Sequence, residues 1–262
     1  MSSFLDLGIH KNYIKSLKEL GIKDPTEIQQ QAIPILLQSK TDFIGLAQTG
    51  TGKTAAYGLP ILHNINPKKD KIQALILSPT RELVQQIKKQ LFKFTKYNDV
   101  KIFCEGVYGG EKIDIQIRNL KRTTHIIVAT PGRLVDLIQR EIVDLKNIET
   151  LVLDEADEML SMGFKNDLTT ILKTTKGSKN TWLFSATMPE DYVSARGIDV
   201  NNLGFVIHHQ LPEHLEYYTH RSGRTARAGK TGASIALVLP NEISKVKEIE
   251  SALGIKIKQK TL

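Results

Sequence analysis

Ala47-Gln48-Thr49-Gly50-Thr51-Gly52-Lys53-Thr54 constrains this chain more than any other stretch. It follows the apolar run Asp42-Phe43-Ile44-Gly45-Leu46 and precedes Ala55-Ala56-Tyr57-Gly58-Leu59, so strand, glycine-rich turn and helix come in the order that phosphate binding requires. Glycine lets the backbone curl until successive N–H groups point inward at a β-phosphate, and the helix N-terminus adds partial positive charge. Gln48, Thr49, Gly50, Thr51 and Gly52 would line the phosphates, Lys53 would reach the β- and γ-phosphates, and the Thr54 hydroxyl would ligate Mg²⁺. Ala47 stands where the general pattern has Gly. The alternative is a plain glycine turn with a chance Lys-Thr, and the downstream residues bear on that choice.

From residue 42 onward apolar, β-rich runs alternate with helical stretches: Phe43 to Ala47, Ala74 to Leu77, Ile102 to Cys104, Ile126 to Ala129, Thr150 to Leu153 and Trp182 to Phe184. That alternation predicts an α/β fold, a parallel sheet covered by helices on both faces. Two helices precede it. One covers Asn12 to Leu20 and stops at Gly21; the next starts near Asp24-Pro25 with Asp as N-cap and turns Ile28, Ala32, Ile35 and Leu36 inward. Gln29 lies on this second helix, and its amide suits the N6/N7 edge of adenine as well as it suits solvent.

In open parallel sheets ligands bind beyond the carboxyl ends of the strands. Leu151-Val152-Leu153 runs into Asp154-Glu155-Ala156-Asp157, two carboxylates where an apolar strand emerges. Asp154 would hold Mg²⁺ and Glu155 would orient and deprotonate the attacking water, while Asp157, a helical turn on, suits contacts with neighbouring loops. An acidic first helical turn also arises for dipole reasons alone; the phosphate loop upstream favours the metal. Ser78-Pro79-Thr80-Arg81-Glu82-Leu83 and Ala129-Thr130-Pro131-Gly132-Arg133 pair threonine hydroxyls and an arginine with helix N-termini, a combination suited to nucleic-acid phosphates, and Gly109-Gly110 adds backbone donors. Each is also an ordinary turn or cap sequence. Their joint recurrence, with Ser185-Ala186-Thr187 at a further strand end, is what carries weight.

A net charge of +8 is compatible with a polyanionic partner without establishing one. Cys104 is the single cysteine, which excludes an internal disulfide and fits a reducing compartment. The N-terminal residues lack a basic region followed by a long apolar one, and no apolar run approaches membrane-spanning length, so a cytoplasmic protein is expected.

Together these stretches resemble the DEAD-box RNA helicases. The resemblance begins with Phe4 and Gly21-Ile22-Lys23-Asp24-Pro25-Thr26-Glu27-Ile28-Gln29, similar to that family's adenine-sensing Q motif. It continues in order through Ala47 to Thr54, Pro79 to Leu83, Gly109-Gly110, Thr130 to Arg133, Asp154 to Asp157 and Ser185 to Thr187. Ala47 is usual in that family. The resemblance implies a RecA-like ATP-binding domain over 1–190, with ATP and Mg²⁺ as cofactors and RNA as partner. By it Phe4 stacks on adenine, Gln29 reads its edge, and Asp157, Ser185 and Thr187 couple the nucleotide to RNA. Pro79, Thr80, Arg81, Gly109, Gly110, Thr130, Pro131, Gly132 and Arg133 then hold RNA backbone.

Beyond Pro189 the resemblance is uneven. Ser194-Ala195-Arg196-Gly197-Ile198-Asp199 resembles the fifth helicase motif and His220-Arg221-Ser222-Gly223-Arg224-Thr225-Ala226-Arg227 the sixth, which the family carries on a second RecA-like domain. Residues 191–262 are therefore expected to be a truncated remnant of that domain. It would bring Asp199 to the ribose, Arg224 and Arg227 to the γ-phosphate, Arg196 and Gly197 to RNA, and His220 to the coupling between sites. Strands are expected at Phe205 to His208, Ser234 to Leu239 and Ile255 to Ile257, forming a small sheet, and helices at Glu213 to Arg227 and Asn241 to Leu253. The incomplete second domain argues against duplex unwinding. It leaves three readings: an RNA-dependent ATPase, an ATP- and RNA-binding module without turnover, and a non-functional deletion product.

Overall fold

The computed structural model describes residues 3–38, 42–175, 179–186, 203–208, 211, 218, 222, 233–236, 238 and 242–259. Helices α1 (Lys11–Glu19) and α2 (Glu27–Gln38) lead into β1 (Asp42–Leu46) and α3 (Lys53–Asn64). Strand and helix then alternate through β2 (Ala74–Leu77), α4 (Arg81–Phe94), β3 (Cys104–Val107), α5 (Ile113–Leu120), β4 (Ile126–Ala129), α6 (Pro131–Gln139) and β5 (Thr150–Asp154). After α7 (Ala156–Ser161), α8 (Lys165–Thr174) and β6 (Asn180–Ser185) come β7 (Leu203–His208), β8 (Ala233–Ala236) and α9 (Ile243–Leu253).

The strands form one parallel sheet in the order β3-β4-β2-β5-β6-β1-β7-β8. Alternate residues point to opposite faces, and each face has its own core. Phe43, Ile76, Ile126, Val128, Val152, Trp182 and Phe184 pack with α1 to α4, whereas Ile44, Leu75, Leu77, Ile127, Leu151, Leu153 and Leu183 pack with α6 to α8. Burial on both faces explains why these strands read as continuous apolar runs.

Four details depart from the sequence expectation. The α2 start falls at Glu27: Gln29 Oε1 accepts from the Thr26 N–H at 3.0 Å, so the side chain three residues in closes the turn and Asp24 does not cap it. The third strand runs Cys104–Val107, shifted along the chain from Ile102 to Cys104; Phe103, whose aromatic β-propensity suggested the strand, stacks on His125 with centroids 5.7 Å apart. Ile255 to Ile257 is not a strand, and its chain packs beside α9 instead, with Ile257 against a small cluster of Leu211, Tyr218 and Ile249. Finally, β7 and β8 form no sheet of their own. Phe205, Val206, Ile207 and His208 pair with Phe43, Ile44, Gly45 and Leu46, covering the edge of β1, an apolar strand that is costly to leave unpaired. The helix expected over Glu213 to Arg227 lies outside the described residues apart from Tyr218 and Ser222.

Candidate active site

Because all strands run the same way, their carboxyl ends share one rim. The strand order divides that rim in two. The phosphate loop, the Asp154 turn and Ser185 follow β1, β5 and β6, whereas Thr80-Arg81, Gly109-Gly110 and Thr130 to Arg133 follow β2, β3 and β4.

In the first half, Gly50 and Gly52 have φ of +85° and +91°, the left-handed region that L side chains avoid. A Cβ on Gly52 would lie 2.4 Å from Gln29 Nε2, so the turn needs glycine for space as well as for conformation. Gln29 is buried; it accepts from the Thr26 N–H and donates to the Gly52 carbonyl at 3.0 Å, tying α2 to the loop. Thr51 Oγ1 closes the loop by donating to the Gln48 carbonyl at 2.7 Å. Lys53 opens α3. Its side chain is only 6% exposed, and its Nζ is buried without a hydrogen-bond partner among the described residues. A buried ammonium without a partner is costly, and beside a glycine cradle it fits an anionic ligand. Phe4 is buried in the apolar core at 2% exposure, beside the exposed Leu5.

Across from the loop, Asp154 ends β5, buried. Its Oδ2 accepts from the Tyr57 hydroxyl at 2.8 Å and its Oδ1 from the Glu155 N–H at 3.1 Å. Burial pushes the Asp154 carboxyl up to about 6, against the pull of Lys53 and of the Tyr57 hydrogen bond. Tyr57 is itself raised well above its usual range, first by burial and then by the Asp154 charge. Glu155 has φ +51° and ψ +51°, a left-handed conformation costing about 1–2 kcal/mol for a residue with a Cβ. In it, Glu155 Oε1 accepts from Thr49 Oγ1 at 3.3 Å, joining the acidic turn to the phosphate loop. Ser185, fully buried at the end of β6, accepts from the Asp157 N–H at 3.3 Å. Thr54 and Asp154 are hard oxygen donors of the kind that holds Mg²⁺ together with waters and substrate phosphates.

In the second half, the Thr80 hydroxyl caps α4 by accepting from the Leu83 N–H, and Thr130 with Pro131 starts α6 without a side-chain cap. Arg81 lies over the Tyr108 ring, 5.3 Å from the centroid, and its Nη1 would be 3.0 Å from a Cβ on Gly110, whose φ is +82°. Arg133 Nη1 donates to the Glu111 carbonyl and to Gln116 Oε1, both at 3.2 Å. Gln116 in turn donates from Nε2 to the Tyr108 carbonyl and to Glu111 Oε2, both at 2.9 Å. One buried glutamine thus joins the glycine turn after β3 to the arginine of α6.

The structure therefore gathers Gln29, the loop from Gln48 to Thr54, Asp154, Glu155, Asp157 and Ser185 on one side and Thr80, Arg81, Gly109, Gly110 and Thr130 to Arg133 on the other. Thr187, Arg196, Gly197, Asp199, His220, Arg224 and Arg227 lie outside the described residues. Sequence reasoning missed Tyr57 and Gln116. Tyr57 stands at i+4 from Lys53 in an otherwise apolar helix, and Gln116 stands at i+3 from Ile113 and i−4 from Leu120 on an inward face, so polarity at a core position was the available signal. A cleft of about 260 Å³ lies elsewhere, between α4 and β3, and none of its lining residues belongs to the phosphate loop or acidic turn.

Comparison with known proteins gives the family. The DEAD/DEAH box helicase family pattern matches residues 26–195, well over half of the chain. The chain belongs to the DEAD/DEAH box helicase family. Among its DEAD-box relatives, the ATP-dependent RNA helicase CshA of Listeria monocytogenes is 33% identical over 359 aligned residues, covering 95% of this chain and 68% of the relative. The CshA of Geobacillus kaustophilus is 32% identical, covering 95% and 76%. An alignment of 359 residues against a chain of 262 leaves about a hundred positions of the relative without a counterpart here, as a large internal deletion would. A DEAD box protein from Methanococcus jannaschii superposes with a TM-score of 0.70 at 28% identity, covering 99% of each chain. The RecA-like fold of the first domain and the truncation of the second are thereby established. No described helix is long and apolar enough to cross a membrane.

Proposed function

We propose that this chain binds ATP with Mg²⁺ and RNA side by side on one rim and hydrolyses the ATP in an RNA-dependent manner. The observation that carries the reading is the buried Lys53 ammonium, unpartnered among the described residues, directly following the left-handed glycines of the turn, with the Asp154 carboxyl also buried. The names of the relatives, ATP-dependent RNA helicases, agree with it. Bound Mg²⁺ would supply charge neutralisation at the phosphates, with Thr54 and Asp154 as its protein ligands. Lys53 would hold the β- and γ-phosphates. Glu155, kept near the loop by Thr49, would take the proton of the attacking water. Gln29 would serve the adenine through the Gly52 contact it already makes. Arg81, Arg133 and the backbone donors of Gly109-Gly110 would grip phosphates of RNA, so base preference would be weak.

Residues 191–262 are read as the remnant of a second domain that contributes Arg224 and Arg227. What supports a contribution in cis is the pairing of His208 with Leu46, by which β7 ends on the rim where the phosphate loop begins. Arginine fingers of this kind are worth about 10³–10⁵ in turnover. Duplex unwinding is not part of the proposal, because the truncated domain lacks much of a second RNA grip.

Two binding titrations test the reading. Lys53→Ala should lose ATP and keep RNA, whereas Arg81→Ala and Arg133→Ala together should lose RNA and keep ATP. Loss of both ligands in either variant, or of neither, would contradict the assignment of the two halves.

A further inference from the structure

Tyr57 lies one helical turn beyond Lys53, fully buried, with its ring 5.2 Å from that of Phe184 in β6. A phenylalanine would fill this place equally well, and a buried hydroxyl is costly unless bonded. The bond it makes is informative. It donates to Asp154 Oδ2 at 2.8 Å. The hydroxyl therefore touches one of the two side chains assigned to Mg²⁺ above. Rotation of an aspartate carboxylate about its last torsion is soft and roughly two-fold. With Oδ1 held by the Glu155 N–H and Oδ2 by Tyr57, that freedom is removed from Asp154 before any ligand arrives.

We propose that Tyr57 is a positioning residue of the phosphoryl-transfer site, whose hydroxyl sets the orientation of Asp154 toward Mg²⁺; the inference rests on the ATP–Mg²⁺ reading above. It touches no reacting atom and acts through Asp154. Outer partners of metal ligands typically change metal affinity by about 10–100-fold when removed.

The test uses the full chain and measures the affinity of ATP with Mg²⁺ and with a chelator, the ratio giving the magnesium enhancement. In Tyr57→Phe the ring and its packing stay, and the enhancement should fall about tenfold while chelator affinity stays within about twofold. Asp154→Asn should also lower the enhancement, and adding Tyr57→Phe to it should produce no further fall. Phe184→Leu, which loosens the same packing and keeps the hydroxyl, should retain the wild-type enhancement even if it lowers the melting temperature. Equal enhancement in wild type and Tyr57→Phe overturns the proposal, as does a fall of equal size in the Asp154→Asn background, since Tyr57 would then act through packing. A wild type without magnesium enhancement overturns the ATP–Mg²⁺ reading itself, an outcome distinct from the other two.

Discussion

Replacing Asp154 by Asn should stabilise the ligand-free protein, and by more at alkaline than at acid pH. The carboxyl titrates at 3.8 when unperturbed and near 6 in the fold, raised by burial. A folded value above the unfolded one means that its stabilising contribution is complete below about pH 3.8 and is lost as pH rises through about 6. At neutral pH the ionised, buried Asp154 therefore costs about 3 kcal/mol relative to its protonated form, a little over two units at about 1.4 kcal/mol each. Between about pH 5 and about pH 8 the accessible part of that cost is about 1.4 kcal/mol. Asn keeps the shape and removes the titration. The gap in melting temperature between Asp154→Asn and wild type should thus widen by roughly 3–6 °C from acid to alkaline pH, at about 2–4 °C per kcal/mol for a chain of this size. The assay is thermal denaturation in chelator without nucleotide. A gap that stays constant across the range would show that Asp154 titrates as it does in water, refuting the argument that the site stores an unfavourable buried charge for its ligand to relieve.

Three further outcomes follow from named contacts. Gly52→Ala combines a left-handed φ with a Cβ 2.4 Å from Gln29 Nε2, so strain and the lost Gln29–Gly52 bond should cost about 2–3 kcal/mol by chemical denaturation and weaken ATP binding. Gln116→Leu removes the link between Arg133 and the Tyr108 carbonyl; RNA affinity in a filter or anisotropy titration should drop about tenfold while ATP affinity holds. His125 accepts from the Phe103 N–H through Nδ1, and burial lowers its titration below 6.5; its stabilising contribution is present above 6.5 and lost as pH falls through the lower folded value, so His125→Gln should flatten the acid side of the stability profile.

Much of the first domain was legible because its information is local. Phe43 to Leu46, Ala74 to Leu77, Ile126 to Ala129 and Thr150 to Leu153 are short apolar runs bounded by helical stretches, and each became a strand buried on both faces. The third strand slipped because Ile102 and Phe103 look more β-like than Glu105 and Gly106, whereas pairing with β4 decided the register. Spacing gives no strand order. Hence the division of the rim into two halves, and the annexation of β7 to β1, emerge only from the fold. The side-chain links were hidden for the same reason: Tyr57 and Asp154 are 97 residues apart, Thr49 and Glu155 are 106 apart, and nothing in either local sequence announces the other. The left-handed backbone at Glu155 was equally invisible, since glutamate is not a residue that advertises it.

The central claim is that the Lys53 side of the rim hydrolyses ATP under control of the RNA side. Phosphate release from ATP by the purified full chain, followed against RNA concentration, addresses it most directly. The account predicts release that rises with RNA to saturation, is abolished in Lys53→Ala and is strongly reduced in Arg227→Ala. No release at any RNA concentration, or release that Lys53→Ala leaves intact, would contradict it.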